Sequence, residues 1–226
     1  MTLSVDPAPS EAERFETMRH AMVASQLRTS AVNDPRVVEA IAQVARERFL
    51  PAEHRAIAYR DTLLPLAGGR RHNSPLATGR LLTEAQVRPS DRVLLVGAAG
   101  GYAAAVLARL AASVTALEEE DSLVGLARDA LAGEEKVTVV QGPLAEGWAE
   151  RAPYDLLVID GAVEHVPDAL VRQVKPGGRA VTGVIDRGVT RLALGRRTEG
   201  GFGLIDFADV ECTTLPGFGR PRTFQF

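Results

Sequence analysis

Two stretches carry the residue types and spacing that could grip a nucleoside. One is Val93-Leu94-Leu95-Val96-Gly97-Ala98-Ala99-Gly100-Gly101-Tyr102; the other is Leu117-Glu118-Glu119-Glu120. Residues 92–97 are nearly all apolar, the pattern of a parallel strand covered on both faces. Gly97 ends it, where the chain must turn sharply and let a ligand approach the backbone. Gly100 and Gly101 let a helix start close to the sheet, and the alanine-rich run from Tyr102 is strongly helical. Glu118 follows Gly97 by 21 residues, at the end of the next apolar segment. An acid so placed accepts hydrogen bonds from ribose hydroxyls. The alternative is a solvated helix start, where acids favour the dipole. That alternative suits Glu119, Glu120 and Asp121 better, with Glu119 kept as a candidate contact beside Glu118.

The glycine spacing separates two cofactor classes. A dinucleotide needs G-x-G-x-x-G, so that amides at the helix start meet a pyrophosphate. Ala99 stands where the middle glycine would be, which disfavours a pyrophosphate. S-adenosylmethionine has no phosphate, and its loop tolerates more variation. The ligand is expected outside the carboxyl ends of the strands, with Gly97, Ala98, Ala99, Gly101, Tyr102 and Glu118 around it.

Composition narrows the class further. The chain has 226 residues, 46% of them hydrophobic, enough for one domain with a sizeable core. A net charge of −3 gives no reason to expect nucleic-acid binding, although Arg70-Arg71 and Arg196-Arg197 are local basic pairs. Cys212 is the single cysteine, so no internal disulfide forms; it is expected to be buried in a strand. His20, His54, His72 and His165 show no ligand spacing, so no metal is expected. The N-terminus is polar and acidic, unlike a signal peptide, and no apolar run reaches the ~18 residues of a membrane span. A soluble, cytoplasmic protein with no membrane partner is the expectation; a homodimer is left open.

Positioning elements follow from periodicity. Residues 1–10 read as disordered, and a helix runs from Ser10 or Glu11 to about Gln26. Asp34-Pro35 caps and starts a helix over 35–46, and another covers 75–85. Strands are expected near 92–97, 113–117, 136–140, 154–160 and 178–184. Helices lie between them near 101–111, 121–132, 144–150 and 163–173. Lys175-Pro176-Gly177-Gly178 is a tight turn into the fifth strand, and a hairpin folds around Gly200-Gly201. Strands alternating with helices imply a parallel sheet. The phenylalanines of the tail (218, 224 and 226) argue for its packing against the body or a partner.

The order and spacing of several blocks resemble the protein-L-isoaspartate (D-aspartate) O-methyltransferase family over roughly residues 20–215. They are Met22-Val23-Ala24-Ser25-Gln26-Leu27-Arg28, Arg48-Phe49-Leu50-Pro51, Ala58-Tyr59-Arg60-Asp61, Asp91-Arg92-Val93-Leu94 with Gly97 and Gly101-Tyr102, Gly147-Trp148, Ala152-Pro153-Tyr154-Asp155, His165-Val166-Pro167 and Lys175-Pro176-Gly177-Gly178-Arg179. The resemblance implies an α/β class I S-adenosylmethionine-dependent methyltransferase fold: Rossmann-like, a doubly wound mostly parallel sheet with a C-terminal antiparallel hairpin, plus N-terminal helices. The implied organisation is a helical and substrate-loop region over 11–75 and a methyltransferase core over 76–226. The implied reaction is methyl transfer to the carboxylate of an isoaspartyl residue, with S-adenosylhomocysteine as product. Damaged protein or peptide, or a small carboxylate, is the implied partner.

The chain departs from that family's pattern where chemistry is expected. The family's loop resembles G-Q-T-I-S-Q-P; here it is Gly69-Arg70-Arg71-His72-Asn73-Ser74-Pro75, with Asn73 in the serine's place and Ser74 one residue late. An asparagine amide still donates to a carboxylate, and Arg70 or Arg71 can hold one bidentately. Asn73, Ser74 and Arg71 are therefore the candidate reaction-centre residues, the alternative being a drifted loop with solvated arginines. Leu95 replaces the acid before the loop glycine, and Gly142-Pro143-Leu144 replaces a Gly-Asp-Gly on the adenine side. Asp160 is a new carboxylate at the end of the fourth strand, facing cofactor or substrate or merely starting the next loop. Losing two charged hydrogen-bond partners costs roughly 1.5–3 kcal/mol each. That predicts weaker binding of this cofactor, a changed ligand, or a non-catalytic homologue.

Overall fold

The computed structural model describes residues 9–220. Ser10 caps α1 (Glu11–Met22): its hydroxyl accepts from the Glu13 amide while the Glu13 carboxylate accepts from the Ser10 amide. Residues 9 and 10 thus have defined conformations, and the rest of the expected disordered N-terminus lies outside the described residues. The helix continues through a wider turn (Val23–Leu27) and a tight one (Arg28–Ser30). Asp34 caps α2 (Pro35–Gln43) with Pro35 in its first turn, as the sequence predicts. A two-stranded ribbon, β1 (Leu64–Pro65) with β2 (Arg71–His72), presents the loop between them and leads into α3 (Pro75–Ala85).

The main sheet is built from β3 (Arg92–Val96), β4 (Ser113–Glu118), β5 (Val137–Gln141), β6 (Tyr154–Val163), β7 (Val174–Asp186), β8 (Val189–Thr198) and β9 (Gly201–Ala208). Its order is β5-β4-β3-β6-β7-β8-β9. The first five are parallel, and β8 and β9 add an antiparallel hairpin. The strand order reverses between β3 and β6, the place where open α/β sheets leave a crevice at their carboxyl ends.

Helices α4 (Tyr102–Leu110), α5 (Asp121–Ala130) and α6 (Asp168–Gln173) connect the parallel strands. Small side chains on α4 (Ala103, Ala104 and Ala108) are buried. Met22, Leu27, Ile41 and Leu50 from the N-terminal elements join Leu81, Val93, Leu95 and Val106 in one apolar core. A second core on the other face holds Leu94, Val96, Leu117, Leu144 and Leu170.

Four local expectations change. Residues 144–150 form two short 3₁₀ turns (Leu144–Glu146 and Ala149–Arg151), because Gly147, at φ +70°, breaks the run. The helix expected from 163 begins at Asp168: β6 runs on to Val163, and Pro167 biases the residue before it away from helix. Lys175-Pro176-Gly177-Gly178 is a kink inside β7, where two residues of β6 span five of β7. Cys212 is buried as expected but lies in an extended segment after β9, not in a strand.

Candidate active site

Gly97 ends β3 at φ +78°, a left-handed conformation that only glycine adopts without strain. Ala99 is also left-handed, at φ +49°, and keeps the turn despite its methyl group. The turn delivers the Ala99 amide to the Glu118 carboxylate, N to Oε2 at 2.7 Å. The Glu119 and Glu120 amides donate to the other oxygen at 2.9 and 3.2 Å. Three backbone donors thus fix a fully buried carboxylate at the carboxyl end of β4. Gly100 serves a different purpose: a Cβ there would fall 2.3 Å from the Phe49 carbonyl oxygen, so this glycine lets the segment before Leu50 close on the turn.

Glu118 has a fourth partner, which the sequence offered only as one of a pair. Arg70 reaches in from the loop between β1 and β2, with Nη1 2.5 Å from Glu118 Oε1. Arg70 is itself buried, and its Nε and Nη2 have no hydrogen-bond partner among the described residues. Nη2 lies 3.4 Å from where a Cβ on Gly97 would sit, so the guanidinium stretches from the ribose-type acid to the glycine turn. Arg71, the residue expected at the reaction centre, is exposed on β2. Backbone alternation explains the exchange: adjacent residues of an extended segment point to opposite faces.

Asn73 is buried at the base of the same loop. Its Nδ2 donates to Asp160 Oδ1 at 2.8 Å, and its Oδ1 accepts from the Thr213 amide at 2.8 Å. Thr78 Oγ1 is a longer donor to Asp160, at 3.5 Å. Burial pushes the Asp160 carboxyl above its usual range, against the pull of the Asn73 amide and the Arg46 charge. Asp160 is thus a clamp partner for Asn73 at the β6 end of the crevice. Ser74 is the N-cap of α3, its Oγ accepting from the Ala77 amide at 3.2 Å. It also borders a hollow of about 250 Å³ shared with Asp61, Asp209 and Glu211, a setting that repels a carboxylate. The structure thus places the Ser74 hydroxyl at the helix cap, away from the Glu118–Arg70 pair.

Other expected contacts are placed differently. Tyr102 starts α4 but points into the core, edge-on to Phe49 and 5.7 Å from the His72 ring, and burial raises its hydroxyl to about 12. Gly101, at φ +98°, is packed on Leu131, and Ala98 is buried in the turn. On the adenine side Gly142 abuts Trp148, Pro143 is exposed, and the Leu144 amide faces Glu119 Oε2 at 3.4 Å. Leu95 belongs to the core on the helical side of the sheet. Leu144 packs with Leu215 and Phe218, residues of a strap over 212–218. The strap pairs with the end of β6 through Ala162 N to Thr213 O (2.7 Å) and Leu215 N to Ala162 O (3.0 Å). It sets Leu215 on the turn: a Cβ on Gly97 or Gly161 would lie 2.9 or 2.5 Å from its side chain. Phe218 of the tail is buried, as expected, whereas Phe224 and Phe226 lie outside the described residues.

Three buried polar residues went unnoticed as a group in the sequence. Arg46 sits 4.8 Å from the Tyr102 ring centre and donates to the Ala58 and Asn73 carbonyls. His72 is buried against it with neither ring nitrogen partnered among the described residues, and burial and the Arg46 charge hold its pKa well below the usual 6.5. Thr213 ties the strap to Asn73. His72 stood inside the loop read from the sequence, Arg46 lies two residues before the Arg48-Phe49-Leu50-Pro51 block, and Thr213 left no trace. Among the described residues no cluster of three or more His, Cys, Asp or Glu could hold a metal, and no helix is long and apolar enough to cross a membrane.

A nucleoside with an amino-acid tail fits this arrangement in part. Glu118 stands where an acid would meet ribose hydroxyls, but it is fully buried, and its three amides and Arg70 already occupy its acceptor sites. The space above Gly97 does not suit the tail, because Leu215 and Arg70 fill it.

Comparison with known proteins supports the same family. The family model described as protein-L-isoaspartate(D-aspartate) O-methyltransferase matches residues 17–210. Protein-L-isoaspartate O-methyltransferase 1 of Rhodopseudomonas palustris (strain HaA2) is 39% identical over 212 residues, covering 92% of this chain and 84% of that protein. The protein-L-isoaspartate O-methyltransferase of Methylorubrum populi is 38% identical over 202 residues, covering 88% and 95%. A solved protein-L-isoaspartate O-methyltransferase shares the fold with a TM-score of 0.76 at 22% identity, over 90% of this chain and 66% of that one. A Plasmodium falciparum structure of the same description, in complex with S-adenosyl-L-homocysteine, gives 0.73 at 17% identity, over 87% and 97%. The chain belongs to the protein-L-isoaspartate (D-aspartate) O-methyltransferase family.

Proposed function

We propose that this chain is an S-adenosylmethionine-dependent carboxyl O-methyltransferase that acts on isoaspartyl residues of damaged proteins, a repair activity of the cytoplasm. The observation that carries the reading is the Glu118 carboxylate. It stands at the end of β4, held by three backbone amides beside the Gly97 turn. Bound cofactor supplies an activated methyl group on a sulfonium. The acceptor carboxylate is already ionised at neutral pH, so the protein need not remove a proton. Its work is to orient the carboxylate and exclude water.

Calorimetric titration of S-adenosylhomocysteine, followed by methanol release from an isoaspartyl peptide, tests this. Binding that falls at least about tenfold in Glu118→Ala, with measurable methanol release by the wild type, is expected from the loss of charged hydrogen bonds. Absence of nucleoside binding at ~1 mM would remove the assignment. A second reading, a methyltransferase-fold protein with another carboxylate substrate or a non-catalytic nucleoside-binding one, is favoured by the filled space above Gly97. Binding without methanol release from any isoaspartyl peptide would select it.

A further inference from the structure

Arg70 has one feature that pairing with Glu118 does not explain. Only Nη1 reaches Glu118. Nε and Nη2, which form the other edge of the planar fork, are buried without a hydrogen-bond partner among the described residues, and Nη2 lies against the Gly97 turn. Two parallel N–H donors on one edge of a guanidinium match the two oxygens of a carboxylate. A buried donor pair left open is unfavourable, and a ligand's two oxygens would complete it. Glu118, for its part, keeps three backbone donors and does not depend on Arg70 for its hydrogen bonds.

We propose that the free Nε/Nη2 edge of Arg70 is a carboxylate receptor in the crevice, reached when the strap withdraws Leu215 from Gly97. This rests on the functional reading above and adds to it the residue that recognises the ligand's carboxylate. Two ligands offer that chemistry: the amino-acid end of the cofactor and the isoaspartyl carboxylate of the substrate. For a ligand to reach that edge, the strap must move. It is tied to the body by two backbone bonds to Ala162, one to Asn73 and one between the Phe218 carbonyl and His165 Nδ1, with Arg220 bonded to Glu164 just beyond it, besides the packing of Leu215 and Phe218.

Arg70→Lys is the informative substitution. It keeps a cation beside Glu118 but has no second planar edge; Arg70→Gln removes both, and thermal unfolding checks that each variant folds. Three probes are titrated into wild type and variants: S-adenosylhomocysteine, the carboxylate-free nucleoside 5′-methylthioadenosine, and an isoaspartyl peptide. A roughly ten- to hundred-fold loss confined to S-adenosylhomocysteine in Arg70→Lys assigns the edge to the cofactor's carboxylate. A similar loss for the peptide, appearing as a raised KM with kcat nearly kept, assigns it to the substrate. Leu215→Ala should tighten whichever carboxylate ligand uses the edge. If all three probes bind Arg70→Lys as they bind the wild type, the proposal is overturned while the methyltransferase reading stands. If neither nucleoside binds the wild type, that reading fails. The receptor is then decided by the peptide alone: binding lost in Arg70→Lys supports it, and unchanged or absent binding overturns it.

Discussion

Replacing His72 by isoleucine, the residue at that place in the family's loop pattern, should flatten the acid side of the stability profile. His72 is buried between Arg46, which adds positive charge, and the ring of Tyr102, and its ring nitrogens have no partner among the described residues. In the unfolded chain it takes a proton near pH 6.5; in the folded chain it does so only well below that. The unfolded state therefore binds the proton first. The stability held by neutral His72 is complete above about pH 6.5 and is lost as pH falls from there toward the folded value. The slope is about 1.4 kcal/mol per pH unit, or roughly 2 kcal/mol between pH 6.5 and 5.0. Asp160 acts in the opposite sense. Its raised folded pKa makes ionisation unfavourable to the fold, so acid adds stability through that group and masks part of the His72 loss. The difference between wild type and His72→Ile isolates the histidine, since Asp160 is common to both. Urea unfolding followed by fluorescence of the single tryptophan, Trp148, from pH 7.5 to 5.0 measures it. A difference that stays constant across that range would refute the reasoning.

Asn73→Ala should cost about 1.5–3 kcal/mol at neutral pH, because the buried Asp160 loses its charged hydrogen bond and the Thr213 amide loses its acceptor. Urea unfolding at pH 7 reads this, and a change under 0.5 kcal/mol, the usual size of a surface effect, would show that the clamp is unimportant. Gly100→Ala should cost about 3 kcal/mol, the upper end of the usual overpacking range, since the new methyl meets backbone, the Phe49 carbonyl, and not a side chain that can turn away. A melting temperature within a few degrees of wild type would contradict that placement.

The parts of this protein set by local pattern could be read from its sequence. The alternation of apolar strands with helices gave the parallel sheet, the Gly97 turn and the acid at the end of β4. Asp34-Pro35 gave a helix start because capping is decided within four residues. The errors occur where distant residues decide. Arg70 and Arg71 are indistinguishable by composition, and only the register of β1 with β2 turns one inward. Ser74, read as the loop serine one residue late, is placed by a local rule after all: it caps α3 before Pro75, as Asp34 caps α2 before Pro35. Leu215 could not be placed at all, since it reaches Gly97 from 118 residues away through pairing with Ala162.

The departures from the family pattern form one electrostatic change. Leu95 and the Gly142-Pro143-Leu144 turn remove two negative charges from around the nucleoside, and Arg70 places a positive one against the remaining acid. A unit charge about 8 Å away acts with roughly 2 kcal/mol at an effective dielectric of about 20. The shift therefore weakens the hold on a ligand bearing a sulfonium and an ammonium by more than one such interaction. It strengthens the hold on a carboxylate by a similar amount. Leu144, which stands where the family pattern has a glycine, acts in the same direction: its buried side chain adds apolar surface beside the crevice and lowers the local dielectric. A site altered in this way gives up affinity for the cofactor's cationic centre and gains discrimination for an anionic partner. On the proposal above, Arg70 is where this charge change would be read by a ligand's carboxylate.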